Sequence, residues 1–520
     1  MLNKNKAGRF GSLIFLVLNS FLVLGQESES IKNVDVLIDT TISYQVIDHF
    51  GASDAWSIQH LNQWPEEVKN EIADLLFSRE KNTNGSPKGI GLSMWRINLG
   101  AGSKKQGRES GIRDSWRRAS SIIDKNEKLQ EEDFSGQLWF ANAAKKRNVE
   151  NFLLFLNSPP VWLTSNRLAY PTEKAKSNLP EENYNDFSKY IVSSIRAFKS
   201  LGIDIEYVSP FNEPQWDWAE GNQEGNPYKN AEIAAIVKDL NREFILQEIE
   251  TKIELGEAGR IEYLFSEFDK PLRSDQIDDF FNPESENYLG DLKNLSSSIS
   301  GHSYFTTSPN DKAVKKRKKL RKAIAEIEGL KFWMSEYCIL GGNNGEIDGK
   351  GVDLEMNSAL YISKAIHNDL VFAEASAWHW WLAVSPYDYK DRLIYIPKTM
   401  FGDDFQDSKM LWFLGNYSYF IRPGFQRVDL KISGMESQDS DVLGSAFTSL
   451  GEDKLVLVFI NQSGFDYKLN IDINGFKSDK KGKAYVTNQR SNLKLVEMSD
   501  NNFSVPEKSV LTLVFDKEKD

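Results

Sequence analysis

Residues 209–216 read SPFNEPQW, and residues 203–208 just before them read IDIEYV. The upstream stretch alternates apolar and polar side chains, the pattern of a short strand. Pro214 closes it, because proline has no N–H to give to a sheet ladder. Glu213 therefore stands just beyond a strand end. Glu and Pro are also common at helix N-termini, so the string alone fits a helix start as well. In a barrel of alternating strands and helices, the C-terminal rim of the strands carries the chemistry, and Glu213 would lie on that rim.

Working outward, strand-like and helix-like segments alternate from His49 to about Arg422. The candidate strands are HFGAS (49–53), LSMWRINLG (92–100), NFLLFLNS (151–158), IEYVSPFN (205–212), IEYLFSEF (261–268), SISGHSYF (298–305), KFWMSEY (331–337) and ASAWHWWL (375–382). Between them lie amphipathic stretches. One places Tyr184, Phe187, Ile191, Ile195 and Phe198 at spacings of three and four; another does so with Ile233, Ile236, Val237, Leu240 and Phe244, with Asn230 as its candidate N-cap. Eight strand–helix units predict an α/β chain with a (β/α)8 TIM barrel over residues 46–420. Beyond about Tyr419 the stretches KLVLVFINQS, YKLNIDING, KAYVTNQ and SVLTLVF alternate apolar and polar residues without helices between them. They predict an appended C-terminal antiparallel β-sandwich over 421–520. Residues 26–45 hold a strand-like stretch expected to join that sandwich.

Lys4, Lys6 and Arg9 precede the apolar run FGSLIFLVLNSFLVLG, which ends at Gly25 before polar QESES. This is the layout of a secretory signal peptide over residues 1–25, so a secreted or periplasmic protein is expected. An uncleaved anchor is the rival, the run being slightly short of a bilayer span. No membrane partner is expected once the signal is removed. The single cysteine, Cys338, excludes an intramolecular disulfide and reads as a small packed side chain.

The net charge of −12 argues against nucleic acid, which needs a basic footprint. The basic run KKRKKLRK (315–322) continues a helical pattern and reads as a solvated helix face. Many of the 13 Trp and 18 Tyr fall beside strand ends, where flat apolar faces with polar edges suit sugar rings. The expected partner is a polysaccharide or oligosaccharide, bound by a monomer.

Carboxylates at the candidate strand ends are Asp54, Glu213, Glu267 and Glu336. Hydrolysis of a glycosidic bond needs two carboxyl groups flanking it, one to protonate the leaving oxygen and one to attack or to activate water. Glu213 after strand four and Glu336 on strand seven form the candidate pair. Glu267 competes for the second role, on the strand beside Glu213. Asn212 offers an amide to a hydroxyl next to the reacting carbon. The five histidines include no i, i+4 pair, so neither a catalytic metal nor a cofactor is expected.

These stretches in this order, HFGASDAW, SPPVWL, SPFNEPQW, GHSYF, WMSEYC and AWHWW, resemble glycoside hydrolase family 30, and GASDAW and NEPQW are most similar to its endo-β-1,6-galactanase branch. The resemblance implies a retaining enzyme with Glu213 as general acid/base and Glu336 as nucleophile. It implies that Asn212 holds the 2-hydroxyl, that Tyr304 hydrogen-bonds the nucleophile with His302 on the same face, and that Arg96 lies near the nucleophile. It also implies that Asp54 meets outer sugar hydroxyls and that Trp162 and Trp380 line the first subsite. The family's glucuronoxylan-cleaving branch has an arginine after the eighth-strand tryptophans; here the residues are Leu382, Ala383 and Val384. A β-1,6-glucanase or an exo-acting β-glycosidase of the same family is the alternative. A non-catalytic carbohydrate-binding protein is the alternative of another class.

Overall fold

The computed structural model describes residues 31–435, 440–478, 482–497 and 503–518; the expected signal peptide lies outside them. Eight parallel strands form a closed barrel: His49–Ser53, Met94–Asn98, Asn151–Phe155, Tyr207–Ser209, Lys252–Ala258, Leu295–His302, Lys331–Tyr337 and Ala375–Ser385. Closure comes from the eighth strand, which pairs both with the first (His49 with Ala377) and with the seventh (Phe332 with Ala375). Parallel barrel strands are covered on both sides, and the whole of the first, second and eighth is buried. Gly51 is needed in this packing, since a Cβ there would come within 2.9 Å of His379 and 3.0 Å of Met94.

The helices follow the sequence periodicity. Tyr184–Ser200 buries Tyr184, Phe187, Ile191, Ile195 and Phe198 along one stripe. Asn230–Leu246 buries its predicted stripe too, but Asn230 is its first residue and its amide donates to the Ser274 carbonyl, so it is not the cap. The basic run lies on the helix Asn310–Ala325, with Arg317 turned inward to pair with Asp369 at 2.7 Å.

The fifth strand departs from the sequence reading. It is KIELGEA (Lys252–Ala258), whereas Glu262–Phe265 forms one helical turn and Glu267 is exposed beyond it. Apolar Tyr-Leu-Phe at 263–265 mimics a strand in sequence. The true strand carries Glu254 and Glu257, both fully buried, and so reads as polar.

The C-terminal strands form a nine-stranded sheet that also includes Lys32–Val46. That strand runs antiparallel to Gln426–Ile432 and parallel to Tyr467–Asn474, the one parallel pair recorded in this sheet among the described residues. The sheet closes on its own core, with Val36 and Ile38 packed among Leu457, Phe459, Leu511 and Leu513. Its other face meets the barrel through the helix Lys409–Ser418, where Asn416 bonds Thr487 and Thr512.

Candidate active site

Glu213 lies four residues past the fourth strand, at φ 45°, in the left-handed region that side chains seldom occupy. Its N–H donates to the carbonyl of Glu257, itself at φ 42° at the end of the fifth strand. Gly259, just beyond, makes room for the pair: a Cβ there would meet Trp216 Nε1 at 2.4 Å and Glu213 Oε1 at 3.3 Å. Glu336 projects from the seventh strand and His302 ends the sixth. Glu213, His302 and Glu336 each bring a nitrogen or carboxylate oxygen within 4.8 Å of the other two.

The centre is a chain of buried charges. His302 Nδ1 lies 3.0 Å from Glu213 Oε1, and its Nε2 lies 2.8 Å from Glu257 Oε2. Toward two ionised carboxylates the ring donates from both nitrogens, as an imidazolium. Burial would lower the His302 pKa, but the charge of Glu336 and the bonds to Glu213 and Glu257 outweigh it and hold it at about 10. Arg96 donates to Glu257 Oε1 at 3.0 Å and to the Ser335 carbonyl at 2.5 Å, and reaches Glu336 Oε2 at 3.8 Å. Burial would raise Glu257, yet Arg96, His302 and the Ser335 hydroxyl bring it down to about 2. Tyr304 donates its hydroxyl to Glu336 Oε1 at 3.0 Å. Burial, opposed by His302 and reinforced by the charge of Glu213, pushes Glu336 up to about 7.

A cleft of about 280 Å³ opens over these groups, lined by Asn212, Glu213, Trp216, Tyr304, Glu336 and Trp381 among others. Asn212 donates to Asn157 Oδ1 at 3.0 Å. Among the described residues, Asn212 Oδ1 and Glu336 Oε2 are buried oxygens that accept no hydrogen bond. Cys338 is fully buried, its Sγ 3.5 Å from the Tyr304 hydroxyl.

The structure thus brings together Glu213, Glu336, Asn212, His302, Tyr304 and Arg96. Three other candidates lie elsewhere. Trp380 is fully buried with its indole N–H on the Asp391 carbonyl, facing away from the barrel axis beside Trp378. Strand alternation sends His379 and Trp381 the other way, and Trp381 lines the cleft, edge-on to Trp56 at 5.4 Å. Asp54 is 1% exposed, and both its oxygens are occupied, by the Asn98 N–H at 2.7 Å and the Gln137 amide at 2.9 Å. Its burial raises it to about 7. Trp162 stands edge-on to Tyr190 and lines a separate pocket with Lys105, Asp124 and Gln130. Glu257 and Trp381 went unassigned in the sequence. The only signal for Glu257 was a glutamate closing an otherwise strand-like KIELG.

A closed (β/α)8 barrel with two carboxyl groups and an amide at the C-terminal ends of its strands defines a protein of the glycoside hydrolase class. The chain belongs to O-glycosyl hydrolase family 30, whose model matches residues 33–395. It is 28% identical over 192 residues to the glucuronoxylanase XynC of Bacillus subtilis, covering 36% of this chain and 40% of that protein. It therefore spans about 40% of the length of the curated relatives it matches. A conserved exported protein from Bacteroides fragilis has a solved structure of TM-score 0.85 at 32% identity, covering 92% of this chain and 99% of that one. The catalytic domain of a family 30 xylanase from Talaromyces cellulolyticus shares the fold, with TM-score 0.66 at 19% identity, over 92% of this chain and 99% of that one. Among the described residues no helix is long and apolar enough to cross a membrane.

Proposed function

We propose that the protein is a retaining glycoside hydrolase that cuts a β-1,6-linked galactan internally. The observation that carries the mechanism is that one carboxyl oxygen of Glu213 and one of Glu336 lie within 4.8 Å of each other, close for two groups that must flank one bond. Retention needs carboxyls about 5–5.5 Å apart, whereas inversion needs about 6.5–9.5 Å to admit a water. In the first step Glu336 attacks the anomeric carbon, the glycosidic C–O bond breaks, and the leaving oxygen takes the proton of Glu213. In the second, Glu213 takes a proton from water, whose oxygen attacks the same carbon and releases Glu336. Attack requires Glu336 ionised, and Tyr304, His302 and Arg96 favour that form against its burial. Asn212 meets the hydroxyl beside the reacting carbon.

The substrate follows from the family resemblance and from one departure. Leu382, Ala383 and Val384 are all buried and apolar, so this segment offers no cation to a glucuronate. That weighs against the substrate named for the Bacillus relative. The signal-like N-terminus and the exported Bacteroides relative support an exported enzyme. Digestion of β-1,6-galactan, β-1,6-glucan and glucuronoxylan, with sizing of the products, tests the reading. Oligomers from galactan alone are expected. Single sugars alone would show exo action, and cleavage of the glucan or of the xylan would overturn the substrate.

A further inference from the structure

On the acid's side of the cleft, the loops after the fourth, fifth and sixth strands expose aromatic residues that no other described residue covers fully. Phe305, one residue past Tyr304, is 64% exposed, and Phe268 is 54% exposed. Both sit in the left-handed backbone region, at φ 62° and 48°, where a large side chain is disfavoured and glycine or asparagine would be ordinary. An exposed phenylalanine in such a position lowers neither the strain nor the solvation cost of the folded chain. Phe305 lines the same cleft as Glu213 and Glu336 and stands 6.1 Å from Trp216. Arg260 bridges the two phenylalanines, its guanidinium 5.7 Å from the Phe305 ring and 4.6 Å from the Phe268 ring. Glu262 orients Arg260 from below at 3.0 Å. Tyr263 backs both ends of the row, 5.8 Å from Trp216 and 5.9 Å from Phe268.

We infer that Trp216, Phe305, Arg260 and Phe268 form a platform for the leaving half of the polysaccharide, the sugar units on the reducing-end side of the bond cut. This rests on the proposed retaining mechanism. The acid delivers its proton to the leaving oxygen, so the leaving chain must lie over Glu213. The flanking loops there are those of the fourth, fifth and sixth strands; Trp381, on the eighth, lies across the cleft. Sugar C–H faces pack on aromatic rings, and the guanidinium between two rings supplies donors for hydroxyl edges. The row runs outward from the cleft, so it suits a chain cut internally and not a terminal residue alone.

The test compares wild type, Phe305→Ala and Phe268→Ala on two substrates of the same sugar: the β-1,6-galactan or β-1,6-glucan that the enzyme cuts, and the matching disaccharyl β-fluoride. The fluoride fills only the glycone side, and its leaving group needs neither platform nor proton. Phe305→Ala should lose about tenfold in kcat/KM on the polysaccharide, the worth of one buried aromatic face. Phe268→Ala should lose less. Both should hydrolyse the fluoride at the wild-type rate and transfer less product to an added oligosaccharide acceptor, which enters from the leaving side. Variants equal to wild type on the polysaccharide overturn the inference. So do variants that lose equally on both substrates, which would put the aromatics on the glycone side. A wild type inert to every polysaccharide and fluoride overturns the hydrolase reading first, and the platform with it.

Discussion

Replacing Glu257 by Gln removes one negative charge from a centre where it meets two positive ones. Glu257, Arg96 and His302 are all fully buried. At 3.0 Å and an effective dielectric near 20, the attraction between Arg96 and Glu257 is about 5–6 kcal/mol. Desolvation offsets much of that in the intact pair, but removing one partner leaves the other charge buried without it, which costs about 3–5 kcal/mol. The pH dependence of stability follows from the same groups. Glu257 is depressed from 4.5 to about 2, so its contribution is present above pH 4.5 and is lost as pH falls through 2. His302 is raised from 6.5 to about 10, so its contribution is complete below pH 6.5 and is lost as pH rises through 10. In Glu257→Gln, His302 keeps Glu213 and Glu336 but loses its other partner, so its pKa falls and the decline above pH 6.5 becomes shallower. Urea unfolding of both proteins at pH 6, 8 and 10, followed by tryptophan fluorescence, reads both effects. A loss of about 3–5 kcal/mol is expected at pH 6, with a smaller further loss from pH 6 to 10 than in wild type. An unchanged midpoint at pH 6 together with an unchanged decline toward pH 10 would refute the account of a coupled Arg96–Glu257–His302 centre.

The two proposed catalytic carboxyls separate by role. Glu336→Ala should be inactive on polysaccharide and on an activated aryl glycoside, whereas Glu213→Ala should lose the polysaccharide, keep a first-turnover burst on the aryl glycoside and turn over faster with azide. If Glu336→Ala stays active, the assignment of the nucleophile fails. Because attack needs the Glu336 carboxylate, and burial raises its pKa, kcat/KM should fall on the acid side as Glu336 takes up a proton. Tyr304→Phe, which takes away the hydroxyl at 3.0 Å, should move that acid limb to higher pH; an unmoved limb would show that the bond does not tune Glu336. Trp380→Phe should lower the unfolding free energy measured in urea by about 1–3 kcal/mol with kinetics unchanged, since it strands the Asp391 carbonyl, while Trp381→Phe should lower kcat/KM at near-native stability. The reverse pattern would mean that the cleft takes its tryptophan from the other face of the strand.

Local pattern along the chain was enough for the barrel, the appended sheet and the two carboxyls. Alternation of strands and amphipathic stripes led to a barrel followed by an antiparallel sheet. Asn-Glu-Pro after the fourth strand and Ser-Glu-Tyr on the seventh marked the two carboxyls that the fold brings within 4.8 Å. Tyr304 lay close behind a strand end, and its bond to Glu336 followed the resemblance. What the sequence left undecided was which way a doubly covered strand turns. Along AWHWW the alternation separates Trp378 and Trp380 from His379 and Trp381, but both faces are buried, so apolar character is the same on each. Only barrel closure, pairing the eighth strand with the first and the seventh, sends Trp381 inward. The fifth strand was hidden for a related reason. Glu254 and Glu257 give it a polar composition because their partners, the serines of the sixth strand, Arg96 of the second, His302 of the sixth and Ser335 of the seventh, lie far away in the chain. A carboxylate that closes a strand is indistinguishable in sequence from one facing solvent. Its burial, its charge state and its hold on the active centre exist only once distant strands surround it.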